Sequence, residues 1–210
     1  MKRNKSWLIL ISSFLIISGI GLITYDYYLN KKIDEQEKES IKEFYNIEDN
    51  ENDSNIKTQE KEEVKEQKII NYIAVLKIPK INLVRGLVEP SSYLNNVNYN
   101  LEFLDESDMP DKSNGNVIIA GHSGNSRISF FKNLYKLVIG DEIFIDYKND
   151  TYKYQIVDIY EIEKTGTAEI IKKENTTTIT LITCKHNTNK QIIIIAELQK
   201  WRRIIWKRKR

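Results

Sequence analysis

Cysteine is nearly missing from this chain of 210 residues, which has one, at position 184. One cysteine excludes an internal disulfide and any multi-cysteine zinc or iron–sulfur site. Histidine is almost as scarce, with only His122 and His186, so no metal site is expected and metal-free chemistry is. Arginine is thin in the middle: between residues 69 and 199 it occurs only as Arg85 and Arg127. The formal net charge of +2 hides a segregated chain. Residues 1–25 carry +3, residues 26–68 carry −6, residues 69–199 carry −2 and residues 200–210 carry +7. The central part has no basic surplus, which argues against nucleic acid as a partner. No internal repeat is present, and the length leaves room for one ordinary domain with appendages.

The amino terminus sets the expected location. Ser6 to Tyr25 is a charge-free run of 20 residues rich in Ile and Leu. At about 1.5 Å per residue such a helix spans roughly 30 Å, the hydrocarbon thickness of a bilayer. Lys2, Arg3 and Lys5 precede it and Asp26 follows. The positive-inside rule then puts residues 1–5 in the cytoplasm and everything after the anchor outside. Trp7 at one end and Tyr25, Tyr27 and Tyr28 at the other suit the two interfacial belts. A cleaved signal peptide is the alternative, but the run is long and no Ala-x-Ala-like site follows it. A single-pass anchor in the cell membrane is therefore expected over residues 6–25.

Residues 26–68 are charged, and 31–68 hold neither glycine nor proline. Few apolar residues recur there at a usable spacing, so the segment reads as an extracellular stalk with no core of its own, helical or disordered. Its reach is about 35 Å root-mean-square if flexible and about 57 Å if helical. Its expected role is spacing.

From Asn71 the texture changes. YIAVLKIP, INLVRGLV, GNVIIAGH, DEIFIDY, TYKYQIVDIYEIE, TTTITLITC and KQIIIIAEL are short runs rich in Ile, Val, Tyr and Thr. Pro79, Pro90, Asn114-Gly115, Gly140-Asp141 and Asn149-Asp150 punctuate them. Only Ser129 to Leu137 reads as a helix, with Phe130, Leu134 and Leu137 at helical spacing, and a short turn fits Ser91–Leu94. Seven or eight strands that do not alternate with helices mean an all-β barrel or sandwich over residues 69–199.

Two strand ends carry chemistry. In Thr178–Cys184 side chains alternate faces, so Ile179 and Leu181 point to a core while Thr178, Thr180, Ile182 and Cys184 share the other face. A free thiol outside the cell is open to oxidation and mispairing, which weighs against a mere packing role and towards a nucleophile. In the run Asn116–Gly124 a buried strand leads into Gly121-His122-Ser123-Gly124. The flanking glycines let the backbone turn sharply and expose an imidazole that can exchange protons near neutral pH.

These residues resemble the sortases, Gram-positive cysteine transpeptidases. TLITC (Thr180 to Cys184) is similar to their TLxTC signature and IAGHSG (Ile119 to Gly124) to their histidine motif. LKIPKINL (Leu76 to Leu83) and the FFKNL…GDEI stretch (Phe130 to Ile143) are similar as well, so the resemblance covers roughly residues 70–199. It implies an eight-stranded β-barrel with one or two short helices behind a transmembrane helix. It also implies cleavage of an LPxTG-like sorting signal between Thr and Gly and transfer of the Thr carbonyl to a cell-wall amine. By the resemblance Cys184 is the nucleophile, His122 the acid and base, and Thr183 a hydroxyl near the developing oxyanion, with Ile182 in substrate binding. The implied partners are sorting signals of secreted proteins and a peptidoglycan precursor or other amine. No cofactor is implied; calcium activation stays open, although no acidic cluster is specific enough to propose it.

One departure matters. The family's arginine at the start of the last strand falls on Gln191 here, with Lys190 beside it. A glutamine lacks the charge and the bidentate fork, and losing an oxyanion donor typically costs about 100- to 1000-fold in rate. Three readings follow: Lys190 substitutes, Arg127 reaches in from the loop after His122, or the enzyme is slow. His186, in the KHNTNK turn, competes with His122, but a solvated loop histidine is the commoner state there. The absence of an Asp-Pro-aromatic lid, with Asp49–Asp53 lacking the aromatic, argues against a pilin type. The short Tyr160–Thr177 stretch argues against class B, leaving a housekeeping-like or class D-like enzyme. A non-catalytic module that binds sorting signals or wall polymer, and a hydrolytic cysteine peptidase, are the rivals. Finally, residues 200–210 (KWRRIIWKRKR) form a basic Trp/Ile tail suited to anionic membrane or wall polymer, whose deletion is expected to release the soluble domain from anionic vesicles.

Overall fold

The computed structural model describes residues 6–51, 69–164 and 175–199. It consists of one long helix, α1 (Ser6–Glu51), and eight strands. The strands are β1 (Ala74–Ile78), β2 (Leu83–Leu87), β3 (Glu102–Phe103), β4 (Asn116–Ala120), β5 (Glu142–Tyr147), β6 (Asp150–Glu163), β7 (Thr178–Cys184) and β8 (Lys190–Leu198). They form one sheet in the order β2-β1-β5-β6-β8-β7-β4-β3, curled into a nearly closed all-β barrel. Neighbours pair antiparallel except β4 and β7, which run parallel with Ala120 opposite Ile182. β3, two residues long, had no sequence pattern to announce it.

Alternation works as expected. Leu76, Ile119, Ile145, Tyr154, Leu181 and Ile194 point inward to one continuous core. The β5–β6 hairpin closes through Lys148-Asn149, both with positive φ (49° and 63°), the two-residue geometry that matches strand twist. The helix expected over 129–137 is instead a series of turns ending in a 3-10 turn, Leu134–Lys136. Phe131, Leu134 and Leu137 are the buried apolar residues there, and their spacing of three is the 3-10 period rather than the α period. Phe130 is half-buried against the edge of the core, with the Arg85 guanidinium 3.8 Å from its ring centre.

α1 corrects the stalk expectation. Its first half is exposed and apolar, and it is the one described helix long and apolar enough to cross a membrane. The helix then continues without a break into the charged segment and docks on the barrel. Phe44 packs with Tyr72, Val75 and Val88, flanked by Ile41 and Tyr45. Glu37 accepts a hydrogen bond from the Gly86 amide (3.0 Å) and another from the Tyr72 hydroxyl, and pairs with Arg85 at 3.0 Å. Ser40 accepts from the Ile70 amide at 3.0 Å. The charged surface of this segment hides a narrow docking stripe, Glu37, Ser40, Ile41, Phe44 and Tyr45, spaced by threes and fours.

Candidate active site

Cys184 closes β7, half-buried, on the face shared with Ile182. The β7–β8 register sets Gln191 directly opposite it, so the two side chains leave the sheet on the same side. The parallel pairing of β4 with β7 carries the chain after Ala120 across the end of β7. The Gly121 amide donates to the Ile182 carbonyl at 3.1 Å, and the Thr183 hydroxyl donates to the Gly121 carbonyl at 2.8 Å. The Ser123 hydroxyl donates to the Cys184 carbonyl. His122 sits between these two straps, half-buried, and its own carbonyl accepts from the Phe131 amide at 3.0 Å. Gly121 is needed for this crossing: a Cβ there would meet Leu101 at 2.6 Å and Phe131 at 2.7 Å.

A cavity of about 390 Å³ opens beside the thiol. Thr183, Cys184 and Ile192 form one wall, Ser123, Gly124 and Asn125 a second, and Lys132, Lys185 and His186 give it a basic rim. His186 is exposed, and its Nδ1 lies 3.9 Å from where a Cβ on Gly124 would be. On the same outer face Ile118, Ile182 and Ile193 form a second apolar cluster, bordered by Leu104, Tyr160, Ile162 and Ile195. It leads along β4, β7 and β8 towards Cys184.

The cations weighed beside Gln191 each have an acidic partner. Lys190 lies 3.6 Å from Glu161, and Lys185 donates to the same carboxylate. The Lys185 hydrogen bond, against some desolvation, and the charges of both lysines hold the Glu161 carboxyl below the usual carboxylate range. Glu161 thus clips the β7–β8 turn from outside, a role that nothing in the sequence signalled. Arg127 pairs with Asp26 of α1 at 3.4 Å and lines the groove between α1 and the barrel rather than the Cys184 cavity. Arg85 is held by Glu37 and by Asn100, the latter at 2.7 Å. Thr183 is buried in the wall of the Cys184 cavity, and its hydroxyl, which donates to the Gly121 carbonyl, braces the histidine loop. Among the described residues no group of three or more His, Cys, Asp or Glu could hold a metal. The basic tail, residues 200–210, lies outside the described residues, as do residues 165–174 of the stretch on which class B was judged and residues 52 and 53 of the acidic run.

A family model described as a sortase domain matches residues 76–199, more than half of the chain. The chain belongs to the sortase family. Solved sortases share its architecture. A lid mutant of sortase A from Corynebacterium diphtheriae aligns at 25% identity and a TM-score of 0.56, over 62% of this chain and 71% of that one. A Clostridium perfringens sortase D5 transpeptidase aligns at 25% identity and 0.56, over 79% of this chain and 97% of that one. Sortase C-1 from Actinomyces oris, at 23% identity and 0.56 over 65% and 78% of the two chains, agrees in fold. No curated protein matches. Sortases are cysteine transpeptidases, and this sortase has one cysteine, on the strand where the barrel opens to a cavity.

Proposed function

We propose that this sortase is a membrane-anchored transpeptidase in which Cys184 is the nucleophile and His122 the acid and base. The Cys184 thiolate adds to the Thr carbonyl carbon of an LPxTG-like signal. The Thr–Gly bond breaks as His122 gives its proton to the departing glycine amine, leaving a thioacyl-enzyme. An amine then loses its proton to His122, forms the new bond to the Thr carbonyl, and expels the thiolate. Sulfur suits this division because it is nucleophilic as thiolate and leaves readily. A single observation carries the reading: the only cysteine ends β7 where the paired strand β4 delivers the His122 loop. His122 is favoured over His186 because two hydrogen-bonded straps fix its loop, while His186 stands exposed. Leu104, Tyr160, Ile162 and Ile195, the partly exposed border of the buried Ile118, Ile182 and Ile193 cluster, suit the Leu and Pro of the signal. In this reading residues 1–5 are cytoplasmic and the barrel is outside.

Gln191 opposite the thiol, with Lys190 held by Glu161, favours a second reading in which the module binds sorting signals but turns them over slowly. Incubation with an LPxTG-like peptide, with and without an amine acceptor, separates the cases. Ligated product supports the transpeptidase, acid alone marks a peptidase, and binding without turnover marks a capture module.

A further inference from the structure

The direction of α1 fixes which end of the barrel meets the membrane. Cys184 ends β7, and the loop 121–141 leaves β4 at the same end, since β4 and β7 are parallel. Asp26, the first charge after the apolar run, pairs with Arg127 of that loop. Glu37, 11 residues on, pairs with Arg85 within β2. Tyr45 donates to Asp146, near the end of β5 where the hairpin turns at the opposite end of the barrel. At about 1.5 Å per residue the helix descends some 28 Å between Asp26 and Tyr45. Followed from the apolar run, α1 therefore meets the Cys184 end first and passes down the side of the barrel. The groove it lines and the Cys184 cavity share Asn125, Lys132 and Asn133, so one loop separates the helix from the cavity.

The rim at that end is built unlike the rest of the surface. Tyr135, Val138 and Ile139 are 65%, 55% and 66% exposed within five consecutive positions. Lys132 and Lys136 stand exposed among them and make no ion pair among the described residues. Several acids at this end are paired: Asp26 with Arg127, Asp141 with Lys80, Glu142 with Lys153, and Glu161 with Lys185 and Lys190. Exposed apolar tips set among cations that no acid neutralises, with the Lys136 ammonium 5.7 Å from the Tyr135 ring centre, match the chemistry of an anionic bilayer surface.

We propose that the rim formed by residues 132–139 docks on the anionic lipid surface from which α1 emerges, so that the Cys184 cavity opens onto the headgroup layer. The inference rests on the reading of residues 6–25 as a membrane anchor. A substrate or acceptor held just outside the bilayer then meets the thiol without leaving the surface, and the docked part of α1 sets the height.

The test uses the full chain in vesicles of phosphatidylglycerol and phosphatidylcholine carrying a headgroup nitroxide. In a Cys184→Ser background, one fluorophore is placed at Tyr25→Cys, Ile139→Cys or Ser113→Cys; Ser113 is exposed beside the start of β4, at the far end. The label at 139 is expected to lose fluorescence to the extent of the label at 25, while the label at 113 keeps it. Lys132→Glu with Lys136→Glu should restore fluorescence at 139 but not at 25. If 139 stays as bright as 113 while 25 is quenched, the anchor stands and the docking is wrong. If the chain does not float with the vesicles and 25 is unquenched, the anchor reading itself fails and takes this inference with it.

Discussion

Glu37→Ala should undock α1 from the barrel without unfolding the barrel. Glu37 and Arg85 are 12% and 13% exposed at the side chain, and Glu37 also accepts from the Gly86 amide and the Tyr72 hydroxyl. Removing one partner of a buried ion pair costs about 3–5 kcal/mol, because the other charge is stranded. Arg85 keeps Asn100 at 2.7 Å and the Phe130 ring at 3.8 Å, which places the cost near the lower end. About 3 kcal/mol shifts the docking equilibrium by more than 100-fold. The reporter is the Ile70 amide, whose acceptor is Ser40 on α1 and is untouched by the substitution. Its hydrogen exchange should accelerate by that factor, while amides of the β7–β8 ladder keep their protection. Unchanged exchange at Ile70 would refute the view that this clamp holds the helix.

Gly86→Ala should destabilise the same interface, since a Cβ would meet the Tyr72 ring at 2.2 Å; overpacking of this kind costs roughly 1–3 kcal/mol, readable as a lower midpoint in thermal unfolding. An unshifted midpoint would show that the ring moves freely. Two groups give opposite pH limits. Glu161 is held low by Lys185, so its clip on the β7–β8 turn is complete above about pH 4.3 and lost as pH falls through the lower folded value; protection of the Lys185 amide should report it. Tyr72 is pushed up mainly by burial and then by Glu37, so its contribution holds below about pH 10 and is lost as pH rises beyond, with α1 undocking in alkali. Gln191→Arg, on the face of Cys184, should raise transpeptidation by up to about 100-fold if a charged donor is what the site lacks; no gain would mean the oxyanion is served otherwise.

The strands and the two motifs were legible because short runs of β-branched and apolar residues bounded by turn residues act locally. Thr178 to Cys184 announces a strand that ends in the thiol, and Asn116 to Gly124 announces a strand that ends in a histidine loop. The meeting of these two ends was not legible from periodicity, since it depends on the parallel pairing of β4 with β7, 62 residues apart. The docked half of α1 was missed for a different reason. Its buried stripe mixes Glu37 and Ser40 with Phe44, and a polar side chain that is buried against a partner looks like solvated surface until the partner is known. Lys190 and Arg127 looked available as stand-ins for an arginine because their acids, Glu161 and Asp26, come from β6 and α1.

The most direct test of the account is intact-mass spectrometry of the full chain with a panel of LPxTG-like peptides. A thioacyl adduct on Cys184 that is absent in Cys184→Ala and His122→Ala, and retained in His186→Ala, is the expected result. An adduct that survives His122→Ala but vanishes with His186→Ala would contradict the assignment of the acid and base. No adduct with any peptide, alongside measurable binding, would contradict the catalytic reading itself.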